Sequence, residues 1–110
     1  MMKANTTTLI LPLLAAACLT VAKPATASEE IVKKARCVAC HAVDVKRVGP
    51  AYKDVAAKYR GDAAAPAQLF DKVRAGGSGN WGNVPMMPHP ADKISDEDLK
   101  AAIAWILALQ

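Results

Sequence analysis

Cys37, Cys40 and His41 stand together in Cys37-Val38-Ala39-Cys40-His41, and that spacing carries the chemistry of the chain. Two thiols three positions apart can each add to one vinyl group of the same porphyrin, and the adjacent imidazole then lies where it can ligate the iron from one face. The string is the attachment signature of a c-type haem, which predicts one haem c held covalently through Cys37 and Cys40. Two other chemistries use a cysteine pair at this spacing, a thioredoxin-like redox couple and one half of a zinc site. No βαβ pattern surrounds the motif, and the only other cysteine is the lone Cys18, so neither alternative has the companions it needs.

An iron held by one histidine has a second axial position, and its occupant separates an electron carrier from a site open to a gas or substrate. The candidates lie in Val84-Pro85-Met86-Met87-Pro88-His89-Pro90, because the remaining methionines, Met1 and Met2, belong to a leader. Met86 is preferred: Pro85 stiffens its approach, and its separation from His41 lets the chain wrap to the opposite haem face. Met87 is a close competitor, and His89, between two prolines, is read as cover for the haem edge. A Met/His pair raises the reduction potential and closes the iron to substrates, whereas a second histidine would lower it. No distal acid/base pair accompanies the motif, as a peroxidase-like enzyme or gas sensor would require. The expected protein is therefore not an enzyme.

The elements that position these residues read as all-α. Lys3, the apolar run Leu9 to Val21 and the small residues of Ala25-Thr26-Ala27 form a secretory signal peptide, with residues 1–27 removed and 28–110 left as a single monohaem domain. The apolar run is too short for a convincing membrane span, so no stable membrane insertion is expected after cleavage. Cleavage also removes Cys18 and leaves both remaining thiols to the haem. So small a domain has a thin core and needs a staple, which the porphyrin supplies. The formal net charge of +4 is halved by loss of Lys3 and Lys23, and the basic residues alternate with acidic ones, which excludes a nucleic-acid stripe.

Ser28 is expected to cap a first helix through Ala35, with acidic residues in its first turn. Gly49-Pro50 breaks the chain, and further helices are expected over Ala51 to Tyr59 and Pro66 to Ala75, the second ended by Gly76-Gly77. Gly76 to Pro90 reads as a loop. Ser95-Asp96-Glu97-Asp98 opens the last helix, whose Leu99, Ala102, Ile103, Ile106 and Leu107 form one apolar face aimed at Ile31 and Ala35, with Trp105 in the core.

Three stretches in order, Cys37 to Asp44, Val48-Gly49-Pro50-Ala51-Tyr52 through Tyr59, and Trp81-Gly82-Asn83-Val84-Pro85-Met86, resemble the small bacterial cytochrome c-551 (cytochrome c8) family of class I cytochromes c over essentially all of 28–110. The resemblance implies about four helices around one covalent haem, and a monomeric periplasmic electron shuttle between respiratory complexes and a reductase, such as nitrite reductase or a terminal oxidase. It further implies His41 as proximal ligand, Met86 as distal ligand, the Pro50 carbonyl as acceptor of the imidazole N–H, and Trp81 as donor to a haem propionate. Pro85-Met86-Met87-Pro88-His89 departs from the family's Pro-Met-Pro-Pro-Asn, and Lys72 stands where some relatives carry an arginine to a propionate, so potential and pH dependence are expected to shift. Redox donor and acceptor proteins are expected to dock on an apolar rim of Val38, Ala39, Val43, Met87 and Pro88, steered by Lys46, Arg47 and Lys53.

Overall fold

The structure, a computed structural model, describes residues 15–19 and 24–110; most of the expected leader, including Lys3 and the larger part of its apolar run, lies outside the described residues. Four helices carry the fold: α1 (Ala25–Lys34), α2 (Tyr52–Lys58), α3 (Ala65–Ala75) and α4 (Asp96–Leu107). A single 3-10 turn over Cys37–Ala39 follows α1, and an antiparallel hairpin of β1 (Gly77–Gly79) and β2 (Gly82–Met86) lies between α3 and α4. Among the described residues no helix is long and apolar enough to cross a membrane.

Packing follows from the apolar face of α4. Leu99 and Ile103 are buried with Ile94, and Ile31 and Ala35 of α1 close over them together with Leu69, Phe70 and Val73 of α3. This is the pairing of first and last helix that the spacing of apolar residues predicts. Ser95 caps α4 as expected, its Oγ accepting from the Asp98 amide at 3.1 Å.

Three local expectations are corrected. Ser28 does not cap α1: the helix starts one turn earlier, with Pro24 as N-cap, and Ser28 is buried within it. Ala25-Thr26-Ala27 is as compatible with a helix as with a cleavage site, and Pro24 presets the entry. No acidic residue therefore lies in the first turn, and Glu29 and Glu30 fall later. Second, the stretch read as pure loop holds the hairpin, with Gly77 opposite Met86 and Gly79 opposite Gly82. Its reversal depends on Gly79 and Gly82 at φ 117° and 102°, a conformation that strand propensity does not register. Third, Trp105 lies outside the buried cluster; it is half-buried and meets Tyr52 edge-on.

The exit from α1 carries strain. Arg36, the residue before Cys37, is in the left-handed region at φ 63°, and it is the only described non-glycine residue with positive φ. Its amide donates to the Lys33 carbonyl at 3.0 Å, so the turn is a helix C-terminal cap of the kind glycine usually makes. The left-handed conformation costs a residue with a Cβ about 1–2 kcal/mol, part of which glycine returns through its freer unfolded chain. Arg36→Gly is expected to raise stability by about 1 kcal/mol, or roughly 4 °C or more in Tm, while Arg36→Ala gives no such gain; thermal unfolding of the haem-loaded protein checks both.

Candidate functional site

The turn after α1 presents the thiols. Ala39 N–H donates to Arg36 O at 3.1 Å, Cys40 N–H to Cys37 O at 3.1 Å and His41 N–H to the same carbonyl at 3.0 Å. In such a turn residues three apart eclipse, so Cys37 and Cys40 share one side. Both are half-buried and free of any disulfide. Burial raises the pKa of the Cys37 thiol above its ordinary value.

His41 is fixed from three directions. Its Nδ1 lies 2.8 Å from the Pro50 carbonyl, and because a carbonyl only accepts, Nδ1 carries the proton and Nε2 keeps a bare lone pair. Gly49 runs beneath the ring: a Cβ there would stand 2.8 Å from Nδ1 and 2.9 Å from Nε2, so no side chain fits. The Tyr52 ring stacks on the imidazole at 5.1 Å between centroids and 16° between planes. Backbone bonds close the intervening loop, from Gly49 N–H to Cys40 O at 2.8 Å, Tyr52 N–H to Ala42 O at 2.9 Å and Lys53 N–H to Val43 O at 3.1 Å.

Behind this loop a cavity of about 210 Å3 is lined mainly by Val32, Val38, Val43, Tyr52 and Trp105, with Glu29 and Lys33 also on its wall. Trp105 approaches Tyr52 edge-on, 6.0 Å between centroids, which explains why it is drawn away from the core. The Tyr52 hydroxyl is enclosed beside the Cys37 thiol, and burial, followed by that thiol, pushes its pKa well up. Two free thiols on one side of a turn, a bare imidazole nitrogen beside them and apolar walls fit a covalently attached haem.

The hairpin forms the second part of the site. Met86 ends β2 and is half-buried, whereas Met87 is 74% exposed. The chain over Met86 to Pro88 crosses so near α3 that a Cβ on Gly76 would stand 2.5 Å from Met86 O and 2.7 Å from Pro88 N. His89 turns its ring back on the chain, Nδ1 donating to the Met87 carbonyl at 2.8 Å. Trp81 is 41% exposed rather than core, and the Lys58 ammonium sits 4.5 Å from the centre of its ring while donating to Asn80 O at 2.9 Å. Lys58 and Tyr52 stand at the site without having been singled out from the sequence; the place of Lys58 in the last turn of α2 is compatible with any surface lysine, so no local signal marks it. Of the rim, Val38, Ala39, Met87 and Pro88 are exposed and Val43 half-buried. Among the flanking charges Lys53 is exposed and pairs with Asp44 at 2.6 Å.

The family model described as Cytochrome c matches residues 25–110. A cytochrome c-551 of Allochromatium vinosum is 54% identical over 83% of this chain and 95% of its own length, and a cytochrome c-552 of Nitrosomonas europaea is 47% identical over 87% and 91%. The crystal structure of wild-type Nitrosomonas europaea cytochrome c552 superposes with a TM-score of 0.68 at 48% identity, covering 74% of this chain and 99% of that one. With the motif, the fold and these relatives in agreement, the chain belongs to the cytochrome c family, as an electron-transfer haem protein that holds one haem c through Cys37 and Cys40.

Proposed function

We propose that this protein is a periplasmic one-electron shuttle whose haem iron is ligated by His41 and Met86, passing electrons from respiratory complexes to a reductase such as nitrite reductase or to a terminal oxidase. The observation that carries the reading is the fixed His41 ring. With Nδ1 donating to Pro50 O at 2.8 Å, the imidazole has one tautomer, one orientation and one free nitrogen, the arrangement a metal-ligating histidine needs. When bound, the haem takes up and gives back a single electron.

For the other face, burial favours Met86. A ligand sulfur must leave water, and Met86 is already half-buried at the end of a paired strand, whereas Met87 stands 74% exposed one residue on. Pairing of Met86 with Gly77 fixes the backbone from which the side chain departs. The Trp81 indole N–H is the donor to a propionate, with its ring face held by Lys58. Donor and acceptor proteins meet the exposed rim of Val38, Ala39, Met87 and Pro88, beside Lys46 and Arg47.

In the oxidised protein, Met86→Ala is expected to abolish the methionine-to-iron charge-transfer band and to lower the reduction potential, while Met87→Ala leaves the band in place; absorption spectra and voltammetry check both, and loss of the band only in Met87→Ala would reverse the assignment. Gly49→Ala forces the His41 ring off the Pro50 carbonyl, so it is expected to cut the yield of haem-loaded protein severalfold and shift the His41 ring resonances in NMR spectra of what remains.

A further inference from the structure

Arg74 ties the segment after Met86 to two helices through one side chain. It stands in the last turn of α3, and its guanidinium is mostly withdrawn from water, the side chain being 19% exposed. Nη1 donates to the His89 carbonyl at 2.9 Å and to the Ile94 carbonyl at 2.8 Å, and Nη2 donates to the Asp96 carboxylate at 2.5 Å. The Phe70 ring, one turn earlier on α3, lies 5.1 Å from Cζ and covers the guanidinium face. The amide of His89 meanwhile donates to Val73 O at 3.0 Å. Both backbone polar groups of His89 are therefore held by consecutive residues of α3.

A surface ion pair would explain only the Asp96 contact, and such pairs contribute little. Two main-chain carbonyls from separate points of one segment are a different matter. They need a planar donor fork with several N–H groups at fixed angles, which arginine has and lysine lacks. Upstream, Met86 is held by its pairing with Gly77 and by the close passage over Gly76. Downstream, the first hold is at His89. We propose that Arg74 is the positioning residue for Met86, closing the far end of the ligand segment against α3 and so setting how readily Met86 leaves the iron. The proposal rests on Met86 as the distal ligand.

The test uses the oxidised, haem-loaded protein and Arg74→Met, which keeps an apolar stem beside Phe70 and removes every donor. The charge-transfer band is expected to be lost with rising pH at a midpoint about one unit lower than in the parent protein, corresponding to a tenfold easier opening of the segment. Amide exchange at His89 is expected to speed up at least tenfold, with Ile103 in the core unchanged, and Arg74→Lys is expected to recover part of both effects. If the midpoint stays put, or if His89 and Ile103 accelerate equally, Arg74 serves general stability and the proposal is overturned. If Met86→Ala retains the band, the ligand assignment itself is wrong and the proposal falls with it; if Met86→Ala loses the band and Arg74→Met shifts nothing, the proposal alone fails.

Discussion

Everything in the site depends on the contact between His41 Nδ1 and the carbonyl of Pro50. It is a single hydrogen bond of 2.8 Å, worth about 1 kcal/mol net in an ordinary setting. Its structural consequence is larger than its energy, because it decides which imidazole nitrogen carries the proton. The loop between them exists to deliver that carbonyl. Gly49 supplies clearance under the ring, Pro50 removes a backbone donor where none is needed, and Tyr52 backs the ring from α2. A change in any of these acts on the imidazole, even though none of them touches its free nitrogen.

The hairpin segment that carries Met86 is organised differently. The His41 loop is secured by backbone bonds and aromatic stacking, whereas the Met86 segment is secured by cations at its two ends, Lys58 at Asn80 and Trp81, and Arg74 at His89. Both cations come from the last turns of helices, where a positive charge also suits the helix dipole. The two helices thus do double duty: α2 buries Tyr52, Val55 and Ala56 and α3 packs Leu69, Phe70 and Val73 on the core, while the last turn of each sends one cation to the hairpin segment.

Residues whose role is set by chemistry at fixed spacing were legible in the sequence. Cys37, Cys40 and His41 announce themselves, Ser95 caps the helix it precedes, and the α4 face meets Ile31 and Ala35 as its periodicity requires. What escaped depends on three-dimensional context. Ser28 has every local property of a cap, yet a favourable run of small residues upstream carries the helix past it. The hairpin is hidden because glycines, usually strand breakers, create its reversal through positive φ. Trp105 lies on the apolar side of α4 by periodicity, and only the presence of Tyr52 beside it determines that it joins the aromatic wall.

The hairpin itself has a consequence for how stability is distributed. Nearly all its residues are exposed, and none belongs to the buried cluster of Ile94, Leu99 and Ile103. Separating its strands uncovers little apolar surface of the polypeptide, so the chain by itself holds the hairpin far less firmly than it holds the helices. The polypeptide is in this sense two units of unequal depth: a helical frame that carries the buried core, and a shallow flap that carries Trp81 and Met86. Substitutions confined to the flap can therefore accumulate over evolutionary time while the packing of the frame barely changes.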